Sequence, residues 1–219
     1  MKPSSVLAIA GTLSLAATAN CAEQASKTYL NLDFGISLQQ TVNGKDNTGA
    51  DIGKVEFDPG FRGDVVFGYK LSDSFAVELE TGVLANSITS IAGNQLSDFG
   101  ATADIYQIPL LVNVVYQIPL KCALKPYVGV GVGGAATILQ GESVPLFGFT
   151  SNSSYSDVDF TFAYQAVAGF KYAINKNIDI GIAYKFIGTT EHQWSDAGVV
   201  FNADGTMAHT IVASFVWKF

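Results

Sequence analysis

From Lys27 onward one pattern recurs eight times: about 10 to 15 residues in which apolar side chains alternate with small or polar ones. Successive side chains of a strand point to opposite faces, so strict alternation sorts the two sets onto two surfaces. Leu30, Leu32, Phe34, Ile36 and Leu38 share one face; Asn31, Asp33, Gly35 and Ser37 share the other. In Asn177–Gly188 the apolar face is Ile178, Ile180, Ile182, Tyr184 and Phe186, backed by Asp179, Gly181, Ala183 and Lys185. The last repeat sets Ile211, Ala213, Phe215, Trp217 and Phe219 against Thr210, Val212, Ser214, Val216 and Lys218. Residues 157–172 behave likewise, with Val158, Phe160, Phe162, Tyr164, Phe170 and Tyr172 opposed by Asp159, Thr161, Gln165, Gly169 and Lys171.

The connections alternate in length. Short ones fall at Ser72–Ser74, Pro119–Leu124 and Ile174–Lys176; long ones fall at Thr41–Val55, Ser87–Ala103, Gln140–Ser156 and His192–Met207. Eight strands joined by three short turns and four long loops make an all-β, eight-stranded antiparallel up-and-down β-barrel with both ends of the chain at the short-turn side. Barrels of the bacterial outer membrane pair even strand numbers with short periplasmic turns and longer extracellular loops.

Which way the barrel faces follows from composition. The chain is 48% hydrophobic and 14% charged, yet past its N-terminus no run reaches the length of a membrane-spanning helix. A water-soluble barrel shows charge on its outer face. Here the polar faces are rich in Gly, Ala, Ser and Thr, and aromatics crowd the apolar faces. That suits a narrow interior and an exterior facing lipid, where closure gives every backbone group an internal partner. Tyr29, Tyr69, Phe75, Tyr116, Tyr172, Trp217 and Phe219 lie at the short-turn ends, where an interfacial girdle belongs. The net charge of −7 is the wrong sign for binding nucleic acid through its phosphates.

Residues 1–22 read as an export signal: Met1-Lys2 as the positive start, Val6–Ala17 as the apolar segment, and cleavage after Ala19 or Ala22. The barrel domain is then 23–219, and loss of Lys2 brings the net charge to −8. Cleavage after Ala19 leaves Cys21 in an oxidising compartment, where it could pair with Cys122. The plainer reading removes Cys21 with the signal and leaves Cys122 a single thiol in a turn. Thr18-Ala19-Asn20 is a poor match to the signal that precedes a lipidated cysteine.

Several stretches resemble the small eight-stranded outer-membrane β-barrel family that includes OmpX, the OmpA membrane domain and opacity-type surface proteins. They are Pro59-Gly60-Phe61-Arg62-Gly63 with Phe67-Gly68-Tyr69, Val77-Glu78-Leu79-Glu80-Thr81-Gly82, Ile108-Pro109-Leu110-Leu111-Val112-Asn113, Pro126-Tyr127-Val128-Gly129-Val130-Gly131 and the terminal Phe219. The likeness covers 27–219 and implies a surface or structural protein of the bacterial outer membrane. Its expected surroundings are outer-membrane lipid and lipopolysaccharide, with adhesion or a host or cell-surface ligand at the loops. Phe215, Trp217 and Phe219 resemble the C-terminal signal that the barrel-insertion machinery reads. No cofactor, no metal and no nucleic acid is expected, and the protein is expected to be a monomer.

The inward charges are Asp33, Arg62, Asp64, Lys70, Glu78, Glu80, Asp159, Lys171, Asp179, Lys185 and Lys218. Counted from the short-turn ends, Lys70, Glu78, Lys171, Asp179 and Lys218 fall near the periplasmic mouth, and Asp33, Arg62, Asp64, Glu80 and Lys185 near the middle. Each layer is mixed in sign, as ions in a narrow, poorly hydrated space must be paired. The turns should set Lys171 opposite Asp179 and Lys70 diagonally near Glu78. Such a lumen reads as a polar plug; the alternative is a small low-conductance channel gated by exchanging ion pairs. No ring of one sign suggests a selective pore.

Catalytic signals are thin, and no enzyme activity is expected. Gly129–Gly134 matches the dinucleotide fingerprint only formally, since the glycines alternate within one strand and Glu142 comes too early for the ribose acid. Some barrels of this size are lipid A-modifying enzymes that use His, Ser and an acid at the outer rim. His192 and His209 both lack the His-x-Ser spacing of that group, although His192, Ser195 and Asp196 could meet within one loop. Two separated histidines and no Cys/His cluster offer no metal site. Asn152-Ser153-Ser154 is a glycosylation sequon in name only in a bacterial host. The outer loops carry Ile88, Ile91, Leu96 and Phe99, then Val144, Leu146, Phe147, Phe149 and Tyr155, then Trp194, Val199, Val200 and Phe201. These either form contact surfaces or pack on one another.

Overall fold

The computed structural model describes residues 26–45, 51–120, 122–142, 154–196 and 199–219; the export signal and Cys21 lie outside them. Eight long strands follow the eight repeats: β1 (Thr28–Gln39), β4 (Gly60–Lys70), β5 (Phe75–Ile91), β7 (Thr102–Gln117), β8 (Leu124–Glu142), β9 (Ser154–Ala173), β10 (Ile178–Thr189) and β13 (Met207–Lys218). Each pairs antiparallel with its neighbour. Strand β1 also pairs with β13 from Tyr29↔Lys218 to Gln39↔Ala208, which closes the barrel. The seam is locked at the periplasmic end, where Thr28 Oγ1 donates to the Phe219 carbonyl at 2.7 Å. No described helix is long and apolar enough to cross a membrane, and the chain crosses with strands instead.

The short turns are held by their own side chains. Ser72 Oγ accepts the N–H of Ser74 and of Phe75, and Asn175 Oδ1 accepts those of Asn177 and Ile178. Cys122 sits exposed in the remaining turn.

The first, second and fourth long connections carry strands of their own rather than plain loop. The first forms β2 (Val42–Lys45) and β3 (Asp51–Phe57), the second β6 (Asn94–Gln95) with a single 3₁₀ turn at Leu96–Phe99, and the fourth β11 (His192–Asp196) and β12 (Val199–Ala203). Strand β12 pairs with β2 at Ala203↔Gly44, and β3 pairs with the top of β5 at Val55↔Ile91. These hairpins form a second storey of sheet above the membrane. Residues 143–153 of the third connection lie outside the described residues.

The outward face is apolar on every barrel strand, from Phe34 and Phe67 round to Phe162, Ile182 and Phe215, with Phe160 the most exposed at 79%. At the periplasmic end Tyr69, Phe75, Tyr116, Tyr172, Trp217 and Phe219 point outward as the girdle. Phe75 and Tyr116 pack with ring centroids 5.0 Å apart, and Trp217 and Phe219 with centroids 5.3 Å apart. Tyr29 corrects the expected girdle. Outward residues of β1 are even-numbered, so Tyr29 points into the lumen and is 4% exposed. Its ring lies where a Cβ on Gly68 would come within 2.1 Å, and its hydroxyl donates to Glu78 Oε1. Only glycine leaves room for that ring.

Candidate functional site

Midway through the barrel Asp33, Arg62, Asp64, Glu80 and Lys185 converge, each buried. Pairing of β1 with β4 sets Asp33 directly across from Asp64, an arrangement that repels unless a cation intervenes. Lys185 Nζ does so, 2.7 Å from Asp33 Oδ2, 2.9 Å from Asp64 Oδ2 and 2.8 Å from Glu80 Oε1. Arg62 donates from Nε to Asp64 Oδ2 at 2.7 Å and from Nη2 to Glu80 Oε1 at 2.8 Å. Neutral groups complete the shell. Asn113 Nδ2 and Gln165 Nε2 donate to Glu80 Oε2 at 2.8 and 2.9 Å, and Ser214 Oγ donates to Asp33 Oδ1 at 2.5 Å.

Apolar layers lie on both sides of these ions. Toward the periplasm are Val115, Tyr127, Val167, Ala183 and Val212; toward the outside are Leu84, Leu111, Ala135, Ala163, Ile187 and Ala208. The glycines of β8 admit this filling, since a Cβ on Gly131 would lie 1.8 Å from Asn113 Oδ1. The run Gly129–Gly134 therefore sits wholly inside one strand, and the dinucleotide fingerprint has no helix to follow it.

The periplasmic mouth brings together Lys70, Glu78, Lys171, Asp179 and Lys218, with different partners from those the turns suggested. Asp179 stands opposite Ala173, and Lys171 opposite Gly181, because the turn leaves the pair two residues out of step. Asp179 instead accepts from Lys218 Nζ at 2.7 Å and from Lys125 Nζ at 3.2 Å. Lys171 Nζ lies 3.8 Å from Glu78 Oε1 and over the rings of Tyr29 and Tyr127, 5.1 and 4.6 Å from their centroids. Lys70 is diagonal to Glu78 in register, opposite Ala76, and among the described residues it forms no ion pair.

The two histidines face opposite ways. His209 points outward, with Gln40 Nε2 donating to its Nε2 at 2.6 Å and its Nδ1 2.5 Å from Tyr184 Oη. His192 points inward at the root of the β11–β12 hairpin. Its Nδ1 donates to Asp159 Oδ2 at 3.2 Å and its Nε2 accepts from Thr189 Oγ1 at 2.8 Å. The chain of donors continues back through Thr206 Oγ1, 2.8 Å from Thr189 Oγ1, to Gln107 Nε2. Burial pushes the His192 imidazole below its ordinary value, against the pull of Asp159. The side chains of Ser195 and Asp196 lie outside the described residues, and with them the expected meeting within the loop; the described partners of His192 are on β9 and β10. Among the described residues no group of three or more His, Cys, Asp or Glu is placed to hold a metal ion.

The second loop packs inward. Ile88, Ile91 and Leu96 are buried with Val42, Val55, Leu139 and Ala203, an apolar core inside the outer storey, whereas Phe99 is exposed. Val144, Leu146, Phe147, Phe149 and Asn152-Ser153 lie outside the described residues, as do the side chains of Tyr155, Trp194, Val199, Val200 and Phe201.

A closed barrel with a lipid-suited exterior, an aromatic girdle at its short-turn end and strand hairpins above it matches a known family. The model of the outer membrane protein beta-barrel domain matches residues 5–219. The chain belongs to that family, and its place is the outer membrane. It is homologous to the outer membrane protein PagN of Salmonella typhimurium, with 31% identity over 159 residues, 66% of each chain. As an outer-membrane barrel it has the fold of Neisserial surface protein A (13% identity, TM-score 0.55, covering 90% of this chain and 100% of that one). OprG from Pseudomonas aeruginosa shares that fold (16% identity, TM-score 0.56, covering 89% and 98%).

The alternation places Gln165, Thr210 and Ser214 on the inward face but does not show them as partners of the ions. Asn113, Gln165, Thr210 and Ser214 all sit at inward positions of the alternation, and inward amides among glycines and alanines were the available signal. Lys125 reads as a turn residue in the sequence, yet its ammonium reaches back to Asp179.

Proposed function

We propose that this family member is a surface protein in which a closed, ion-paired barrel anchors the outer storey, and that adhesion or host-factor binding occurs through that storey. The observation that carries this reading is the mid-lumen network of Asp33, Arg62, Asp64, Glu80 and Lys185, buried and held between apolar layers. It supports a barrel whose ions hold one another and not a permeant solute. Charge at the outer end narrows the partner: across residues 40–59, 86–106, 137–160 and 189–206 the only Lys or Arg residues are Lys45 and Lys54, amid many carboxylates. A neutral or cationic surface fits such an end better than a polyanion does. No catalytic role is proposed. The hydroxyl-to-carboxylate chain through His192 serves to fasten the outer hairpin, because Thr189 is buried. Residues 1–22 are proposed to leave as the export signal, and Phe215, Trp217 and Phe219 to act as the insertion signal.

The test is planar-bilayer conductance of the refolded barrel beside an adherence assay. Bacteria that display the barrel with the β2–β3 and β11–β12 hairpins replaced by short turns should lose attachment while the barrel still shows heat-modifiable gel migration. Discrete conductance steps that change with Arg62 or Glu80 substitution would overturn the closed barrel and make the protein a channel.

A further inference from the structure

The lumen does not end evenly. At its periplasmic mouth is a cavity of about 30 Å³ lined by, among others, Lys70, Ser72, Gln117, Lys171, Asp179 and Lys218. That is two to three times the volume that holds one water, and it suffices for a small charged group. Four lysines meet here, since Lys125 joins through its contact with Asp179. The carboxylates are Glu78, Asp179 and Asp73. The first is taken by Tyr29 and Lys171, and the second by Lys125 and Lys218 together. Asp73 lines the cavity from the exposed tip of its turn.

Among the described residues, Lys70 is the lysine of this mouth that forms no ion pair. It is the last residue of β4, at an inward position of the alternation, and it lines the cavity. Ser72 adds a neutral donor, because its oxygen already accepts two backbone N–H groups and its own proton is left to give. The depth matters too. Tyr69, adjacent to Lys70, points outward in the girdle with Phe75 and Tyr116, at the level where lipid headgroups begin.

We propose that this mouth is an anion-binding site, centred on Lys70 with Lys125, Lys171 and Lys218 around it, that takes a phosphate group. Two sources present that group on this side of the membrane: the headgroup of an inner-leaflet phospholipid, and free phosphate in the periplasm. The site lies at the opposite end of the molecule from the proposed adhesive surface and does not depend on it. Because the cavity opens to water, binding weakens as salt rises.

The experiment uses the refolded, isotope-labelled barrel in uncharged maltoside micelles. One arm adds inorganic phosphate; the other adds phosphatidylglycerol with no free phosphate. The expected result is a saturable shift of the backbone amides of Leu71–Phe75 and Gln117 in at least one arm. Shifts with inorganic phosphate assign the free ion; shifts with phosphatidylglycerol alone assign the headgroup. Lys70→Gln should weaken the binding about tenfold, the loss of one charge-assisted contact, while Lys54→Gln in the outer storey should leave it unchanged. Gel migration checks that each variant has folded, and Lys125→Gln, at the partly exposed edge of the mouth, repeats the test should Lys70→Gln fail to fold. No shift at these amides in either arm, or shifts of full size in both Lys70→Gln and Lys125→Gln, would overturn the proposal.

Discussion

Arg62 and Lys125 both end on carboxylates inside the same barrel, but in different surroundings. The Arg62 side chain is fully buried, wrapped by Asp64, Glu80, Gln165 and Thr210, and its partners are equally shut in. The Lys125 side chain is 25% exposed and shares Asp179 with Lys218. In the middle, each ion has lost its water and depends on fixed partners. At the mouth, water stands ready to replace any partner that leaves. Equal counts of ion pairs therefore carry unequal weight, and depth in the lumen decides which.

Removing the deep cation should have the largest effect. Arg62→Ala leaves Asp64 and Glu80 facing Lys185 alone, and about 3–5 kcal/mol of stability should be lost. Urea unfolding of the barrel in lipid vesicles measures it, and a loss below about 1 kcal/mol would mean that water reaches the middle. A neutral crowding change at the same depth ranks second. Gly131→Ala drives Asn113 off Glu80 and should cost about 1–3 kcal/mol. The penalty should shrink when Asn113→Gly is added, as a double-mutant cycle would show.

His192 lies between these extremes, buried but outside the membrane. Its imidazole is held below the ordinary value, so the unfolded hairpin takes up a proton before the folded one does. The fastening is therefore complete above about pH 6.5 and is lost as pH falls through that value toward the lower folded one. Amide hydrogen exchange over His192–Asp196 and Ala203–Thr206 should speed up between about pH 8 and pH 5 once corrected for its intrinsic rate. In His192→Asn that extra acceleration should vanish. The smallest effect belongs to the mouth: Lys125→Ala should cost under about 1 kcal/mol, since Lys218 keeps Asp179 paired and the site is wet. A cost as large as that of Arg62→Ala would erase the distinction between the two regions.

Much of this was legible in the residues. The two-residue period placed Asp33, Arg62, Asp64, Glu80 and Lys185 on the inner face at one height, because parity and distance from the turn are properties of the sequence. Tyr29 obeys the same rule: its odd number in β1 places it inside. Partner choice was not legible. Lys171 and Asp179 look opposed across their turn, yet the turn leaves them out of step, and the Lys171 ammonium reaches Glu78 on a different strand while Asp179 takes Lys125 and Lys218.

By itself, then, the sequence determined that the chain is a closed barrel of eight strands, which face meets lipid, and at what depth each charge lies. These follow from alternation and connection length, both local. The tertiary structure decided which ions pair, that the outer connections fold into a second storey with its own apolar core, and that Lys70 forms no ion pair among the described residues. Those outcomes depend on strand register and on reach across the lumen, distances fixed only when strands far apart in the chain close into a ring.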